Sequence, residues 1–385
     1  MSQLSQEEIL RYSRHLMIPG VGLEGQRRLK DSSVLIVGTG GLGSPIALYL
    51  AAAGVGHIGL VDYDVVESSN LQRQVIHTTR RAGQLKVESA RAQMLDLNPH
   101  IQVDACNQVF SAANAEQIAS GFNLLLDGTD NFPTRYLLND LAALTGRAYI
   151  YGSIFRFEGQ VSVFDARRGP CYRCIFPSPP PRGSVPGCNE GGVFGVLPGT
   201  IGTLQASEAL KLLLGIGEPL IGKLLLYDAL EMSFQTIKLR KNPACPVCGE
   251  HPTLSGLVDY EQFCGAPARQ DTPYEQVNLP PDWQITPLQL AAELRQPGPP
   301  GLLDVRDPVE LQICRLPAAE LIPLEQLPLH LPRLDPAARY VLLCRSGERA
   351  ARAVRLMRAS GLNARALLGG LNAWAAEIDP QMFKY

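Results

Sequence analysis

Six residues, Gly38-Thr39-Gly40-Gly41-Leu42-Gly43, most constrain how this chain can fold. They follow a short apolar, β-rich run, Val34–Val37, and precede an apolar stretch of helical length, Ser44–Ala53. The pattern is G-x-G-x-x-G at a strand-to-helix turn. Glycine is required where the backbone must turn tightly and approach a phosphate, whose charge the helix N-terminus stabilises. Gly38, Gly40, Gly41 and Gly43 are therefore the candidate nucleotide cradle. His57–Val61 reads as the next strand and leads into Asp62, at the spacing of a ribose-binding acid. A further apolar run, Phe122–Leu126, leads through Asp127-Gly-Thr-Asp130 into a helical segment, Thr134–Thr145. Strands alternating with helices imply a right-handed parallel α/β sheet. After Tyr149 the chain becomes strand-rich, with one helix near Thr203–Leu214, so the sheet is expected to be mixed.

Read alone, the glycine loop favours a nicotinamide dinucleotide dehydrogenase. The next segment argues otherwise. Asn70-Leu71-Gln72-Arg73-Gln74 and then Lys86 set two cations and two amides just beyond the ribose acid. A dinucleotide has no use for them, whereas a triphosphate carries charge that Arg forks and Lys point charges neutralise. Asp130 falls where a parallel sheet presents its ligand crevice, and a carboxylate there can hold Mg2+ against phosphates. Asp127 reads as a cap of the following helix. The bland alternative for Arg73 and Lys86 is a pair of surface ion pairs.

Two C-x-x-C knuckles, Cys171/Cys174 and Cys245/Cys248, supply four thiolates, a set that favours a tetrahedral, structural zinc. A redox pair would not need the second copy. Cys188, in the glycine-rich Pro186–Gly192 stretch, is a candidate accessory nucleophile against the more ordinary reading of an inert thiol. Nine cysteines in 385 residues make no disulfide scaffold, which points to a reducing, cytoplasmic compartment. With a net charge of -2 and charges scattered in both signs, neither a nucleic acid nor a membrane surface is an expected partner. No segment has the length or apolarity of a signal peptide or membrane span.

Leu254–Trp283 has the Pro-rich, irregular composition of a linker. Domains are thus expected at 1–253 and 284–385, joined by 254–283. In the second, Tyr340–Leu343 precedes Cys344-Arg345-Ser346-Gly347-Glu348-Arg349 and a helix from Glu348 to Ala359. Loop amides and the helix dipole are expected to lower the Cys344 pKa, and Arg345 and Arg349 to hold an anionic sulfur donor or a persulfide. The alternative is a core cysteine at a strand end.

GTGGLG, DYD, NLQRQ, Lys86 and DGTDN, in this order, resemble the MoeB/ThiF family of sulfur-carrier adenylyltransferases, bacterial relatives of ubiquitin-activating enzymes. The resemblance implies an α/β fold, a Rossmann-like adenylation domain of the ubiquitin-activating type. It implies that Asp62 binds ribose, that Arg73 and Lys86 bind the phosphates of ATP, and that Asp130 holds Mg2+. It further implies a structural zinc on the four cysteines and a homodimer in which Arg14, in RYSRHL, reaches the partner subunit's ATP. Leu303-Asp304-Val305-Arg306-Asp307, the Cys344 loop and Gly369–Trp374 resemble a rhodanese, a smaller α/β domain. Ile313–Ala319 departs from the rhodanese pattern, and Cys314 there reads as structural. The fused arrangement resembles the molybdopterin-synthase adenylyltransferase/sulfurtransferases. It implies a small ubiquitin-like carrier ending in Gly-Gly, activated with ATP and then given sulfur from a Cys344 persulfide. Thiosulfate or a cysteine desulfurase would supply the sulfur. An enzyme of protein conjugation, using Cys188 to form a thioester, is the rival reading.

Overall fold

The computed structural model describes residues 2–180, 192–265 and 279–385. The chain divides into two compact units, Met1–Ala268 and Arg269–Tyr385. In the first, β1 (Ser33–Val37) pairs in parallel with β2 (His57–Val61) on one side and β4 (Leu124–Asp127) on the other. β3 (Gln102–Cys106) extends the sheet beyond β2, and β5 (Ala148–Phe155) lies beside β4, both parallel. β6 (Glu158–Phe164), β7 (Lys223–Asp228) and β8 (Ser233–Lys238) then continue as an antiparallel meander. The order β3-β2-β1-β4-β5-β6-β7-β8 makes the sheet mixed, as the strand-rich composition after Tyr149 implied.

Why β1 is continuously apolar rather than alternating is now plain. Val34 and Ile36 pack with Ile46, Leu50 and Ile58 on one face, while Leu35 and Val37 pack with Phe122, Leu125 and Tyr136 on the other. A parallel strand covered on both faces requires this pattern. The helix Gly43–Ala53 ends at Gly54, whose left-handed φ of 81° closes it. Helix Phe132–Thr145 begins at Asn131, whose side chain accepts from the Thr134 amide at 2.9 Å. Asp127 is therefore not the cap. It is fully buried, accepting from the Thr129 amide (2.9 Å), the Thr129 hydroxyl (2.7 Å) and the Tyr149 hydroxyl (2.6 Å).

The second unit holds a five-stranded parallel sheet ordered β11-β10-β12-β13-β9. Its strands are β9 (Gln284–Ile285), β10 (Gly301–Asp304), β11 (Ala319–Leu321), β12 (Arg339–Leu343) and β13 (Asn363–Leu367). Leu303 and Leu342 pack with Ala350, Val354 and Met357 of helix Glu348–Ala359. Leu302, Val341 and Leu343 pack with Leu290 and Trp374 on the opposite face. No helix among the described residues is long and apolar enough to cross a membrane.

The segment expected to be linker starts as packed structure. Tyr260 is buried and donates its hydroxyl to Asp140 at 2.8 Å. Asp140 also takes a forked pair from Arg173, whose guanidinium lies over the Phe263 ring at 4.3 Å. Leu257, Val258 and Phe263 join the same core as Tyr136. The Pro-rich composition concealed this because the apolar residues are few and irregularly spaced, and only the partner surface reveals their use. Tyr260→Ala is expected to destabilise the first unit by about 3 kcal/mol or more, the scale of truncating a buried aromatic. Urea unfolding measures it, and a loss below about 0.5 kcal/mol, a surface-like value, would restore the linker reading.

Candidate functional sites

The glycine loop lies at the switch point of the larger sheet. Strand order reverses there, and a parallel sheet opens its crevice at the strand C-termini. Gly38 has φ +90°, and a Cβ on it would stand 2.7 Å from the Gly128 carbonyl oxygen. A Cβ on Gly43 would overlap the Gly38 carbonyl oxygen. The loops after β1 and β4 thus meet backbone to backbone, a closeness only glycine permits.

Thr39 is strapped from both sides. Its amide and hydroxyl donate to Asp62 Oδ2 at 2.8 and 3.0 Å, and its carbonyl accepts from His77 Nε2 at 3.0 Å. His77 Nδ1 faces the Ser89 hydroxyl at 2.9 Å. Because a carbonyl can only accept, Nε2 carries the proton and the Ser89 hydroxyl donates to Nδ1. Burial holds the His77 imidazole below its usual pKa, which keeps it neutral. Gln74 reaches Gly40, and the Arg73 stem lies over Gly41. Arg73 Nη2 donates to Asn70 Oδ1 at 3.0 Å. Lys86, at the start of helix Lys86–Leu97, is buried and donates to the half-exposed Asp64 at 2.9 Å. The Asp64 amide donates to Asp62 Oδ1 at 3.0 Å. Gly38, Gly40, Gly41, Gly43, Asp62, Asn70, Arg73 and Lys86 therefore belong to one connected shell. Lys86 does pair with a surface carboxylate, Asp64, though its own side chain is buried, whereas Arg73 is held by the Asn70 amide oxygen.

Asp130 is exposed, two residues past Gly128 in the loop after β4. Arg14 is exposed on the short helix Ser13–Leu16. Its neighbours bind the far end of the loop's own helix: His15 meets Gln26, which donates to the Ala53 carbonyl, and Asn98 joins the Tyr12 hydroxyl to the Ala51 carbonyl. The glycine loop lies at the other end of that helix, about 16 Å away at 1.5 Å per residue. Arg14 is thus anchored away from this chain's own loop. Cys188 lies outside the described residues.

Sequence reasoning missed Arg135, buried in helix Phe132–Thr145 beneath the loop that carries Asp130. Its guanidinium lies over Tyr151 and Phe132 at 5.1 and 5.3 Å, with Nε 3.7 Å from Asp127 Oδ2. Desolvation pushes the Asp127 carboxyl up against the pull of Arg135. Gln205 completes the support by donating to the Asp127 carbonyl at 2.8 Å. Nothing in the one-dimensional pattern marks these residues, whereas His77 follows NLQRQ closely enough to have been noticed.

The four knuckle cysteines converge, with all Sγ atoms within 4.8 Å of one another. Cys171 stands 3.5 Å from Cys245 and 3.9 Å from Cys174, and Cys174 stands 3.4 Å from Cys248. A tetrahedral site with metal–sulfur bonds of about 2.3 Å has sulfurs about 3.8 Å apart, so the donor set fits a closed four-thiolate metal centre.

In the second unit Cys344 follows β12 and is buried, 1% exposed. Its Sγ accepts from the Gly347 amide at 3.0 Å and the Ala350 amide at 3.4 Å. Gly347, at φ +105°, turns the loop, and a Cβ on Gly370 would overlap the Cys344 and Arg345 carbonyls. Those carbonyls instead accept from the Leu371 and Asn372 amides at 2.8 and 3.1 Å. The amide cradle is as expected, but the expected pKa is not. Burial outweighs the amides and Arg349 and pushes the thiol up. Nor does Arg349 simply face the sulfur, because it forms a two-pronged pair with Glu310 at 2.5 and 2.7 Å.

Adenylation fold and buried thiol loop together define the class: the chain belongs to the ThiF family, whose model matches residues 12–247. A model of the rhodanese-like domain matches residues 286–377. Over its whole length the chain is 47% identical to a probable adenylyltransferase/sulfurtransferase MoeZ of Mycobacterium tuberculosis, covering 97% of that protein. It is 44% identical to the adenylyltransferase and sulfurtransferase MOCS3 of Sus scrofa, across 99% of this chain and 89% of that one. Among solved structures, Escherichia coli MccB with ATP shares the adenylation fold. The TM-score is 0.56 at 23% identity, over 62% of this chain and 73% of that one. The chain is an adenylyltransferase joined to a sulfurtransferase, and ATP use follows from its first domain.

Because burial raises the Cys344 pKa, its thiolate fraction grows only at high pH. Alkylation by iodoacetamide, followed at the Cys344 peptide by mass spectrometry, is expected to keep accelerating above pH 9. A plateau near pH 7 would restore the low-pKa expectation.

Proposed function

We propose that this enzyme adenylates the C-terminal glycine of a small ubiquitin-like sulfur carrier ending in Gly-Gly, then converts it to a thiocarboxylate for molybdopterin or related sulfur-containing biosynthesis. One observation carries the reading: a triphosphate-suited glycine loop and an amide-cradled thiol occur on the same chain. The carrier carboxylate attacks the α-phosphate of ATP, breaking the α–β bridge and releasing pyrophosphate. The acyl-adenylate then has AMP as leaving group, where the free carboxylate offered only an oxide. This step needs charge neutralisation and alignment rather than acid-base chemistry. Asp62 takes the ribose, while Asn70, Arg73 and Lys86 take the phosphates, Lys86 exchanging its exposed partner Asp64 for a stronger anion. Asp130 holds Mg2+, which supplies further neutralisation of the phosphates. Arg14 serves the partner subunit's site in a homodimer, in keeping with its anchorage away from its own loop.

Cys344 thiolate attacks the outer sulfur of thiosulfate, releasing sulfite, or takes sulfur from a cysteine desulfurase. The resulting persulfide attacks the carrier's acyl carbon and expels AMP. A thiol reductant then supplies two electrons to the acyl disulfide, freeing the thiocarboxylate and restoring Cys344. The four-thiolate centre takes Zn2+ and is structural, since four cysteines leave no open position. None of the eight cysteines among the described residues is in a disulfide, which suits the cytoplasm.

The test is the intact mass of a Gly-Gly carrier incubated with enzyme, ATP, Mg2+, thiosulfate and a reductant. Wild type is expected to replace one oxygen by sulfur. Asp130→Ala should abolish both pyrophosphate release and the mass gain, and Cys344→Ala only the latter. A stable carrier thioester in place of the thiocarboxylate would favour conjugation chemistry. Cys245→Ser is expected to lose bound zinc and lower the melting temperature of the first unit. Unchanged metal content in that variant would sink the zinc assignment.

A further inference from the structure

In the loop 127–131 only Asp130 is exposed, and its neighbours on both sides are pinned. Asp127 ends β4 and is fully buried, so it cannot itself touch a nucleotide. Its Oδ1 accepts from the Thr129 amide and hydroxyl at 2.9 and 2.7 Å, a side-chain turn that bends the chain just before Asp130. Its Oδ2 accepts from the Tyr149 hydroxyl of β5 at 2.6 Å. Its carbonyl accepts from Gln205 Nε2, on helix Leu197–Leu214, at 2.8 Å. Gly152 of β5 makes room for that amide, since a Cβ there would stand 2.3 Å from Gln205 Cδ. The Gly128 amide donates to the Val37 carbonyl of β1 at 2.8 Å. The Thr129 methyl lies 3.1 Å from where a Cβ on Gly38 would stand, against the glycine loop. On the other side of Asp130, Asn131 caps the helix through the Thr134 amide.

We propose that Asp127 is a positioning residue for adenylation: through Thr129 it fixes the backbone that carries Asp130 at the rim of the glycine loop, so that Mg2+ meets a ligand already in place. The reason is entropic. A carboxylate on a loose loop surrenders backbone freedom when it takes a cation, whereas one whose neighbours are already fixed gives up only side-chain rotamers. The position also calls for an aspartate. One short side chain must offer an acceptor to the Thr129 turn and a second acceptor to Tyr149, with Arg135 Nε 3.7 Å from that second oxygen. Asparagine supplies a single acceptor. Whichever way its amide turned, an N–H would face either the Thr129 donors or the side occupied by Tyr149 and Arg135.

The inference rests on Asp130 holding Mg2+, so Asp130→Ala is carried beside the other variants. In the full-length enzyme, ATP affinity is measured by calorimetry with Mg2+ and without a divalent ion. The ratio of the two affinities reports the metal's contribution and needs no turnover. ATP–pyrophosphate exchange with a Gly-Gly-ending carrier is followed over a range of Mg2+ concentrations, with melting curves alongside. Asp127→Asn and Thr129→Val keep the buried volume, and each is expected to lower the affinity ratio several-fold. Half-saturating Mg2+ should rise by up to about tenfold, the scale of one or two lost hydrogen bonds. The exchange rate at saturating Mg2+ should change little, and affinity without the metal should not change. Thr129→Ser, which keeps the hydroxyl, should behave as wild type. An unchanged ratio and Mg2+ dependence in both variants, with Asp130→Ala losing both, would overturn the positioning role. Equal losses with and without Mg2+, together with a lowered melting temperature, would also overturn it by showing a purely structural residue. An Asp130→Ala enzyme that matches wild type in both measurements would sink the Mg2+ reading of Asp130, and this inference with it.

Discussion

The backbone contact among Gly38, Gly43 and Gly128 is the constraint on which the adenylation half depends. β1 and β4 are neighbours in the sheet, and their C-terminal loops can share one crevice only if neither carries a Cβ at the meeting point. The glycine loop, the start of the Gly43–Ala53 helix and the strand end leading to Asp130 are brought together by that absence. Glycine costs conformational entropy, roughly 0.5–1 kcal/mol relative to alanine in regular structure. Here the cost is offset by burial on both faces of β1.

Polar straps then hold what the glycines allow to approach. Thr39 is gripped through its amide, hydroxyl and carbonyl, so Asp62 and His77 fix the loop before any nucleotide arrives. Beneath the Asp130 loop, Asp127, Tyr149, Arg135 and Gln205 form a second, buried support. The buried Asp127 carboxyl group has its hydrogen-bonding capacity met there by hydroxyls and an amide, with a cation nearby. Preorganised loops of this kind suit a reaction that relies on alignment and charge neutralisation.

The second unit repeats the device at smaller scale. A parallel strand ends in a turn of backbone amides, and a helix follows. In the second unit the amides of that turn close over a sulfur. Gly370 permits the Gly370–Glu377 helix to seat against the Cys344 and Arg345 carbonyls. That closure explains why the thiol is buried and its pKa raised, against the expectation from loop amides alone.

Much of this was legible in one dimension, because some physics is local. A strand-to-helix turn with glycines, an acid at the end of the next strand, paired cysteine knuckles and a cysteine followed by a glycine turn and a helix are all short-range patterns. Helix Glu348–Ala359 was readable to the residue for that reason. The tertiary structure alone decided whatever depends on a distant partner. It brought Cys171 and Cys174 against Cys245 and Cys248, turned Asp127 from a cap into a buried acceptor, and set Asn131 as the cap. It packed Tyr260 onto Asp140, 120 residues earlier in the chain. It also raised the Cys344 pKa, since desolvation depends on everything that covers the sulfur and not on its neighbours in sequence. Sequence determines which groups can act, and burial by remote segments determines their charge and direction.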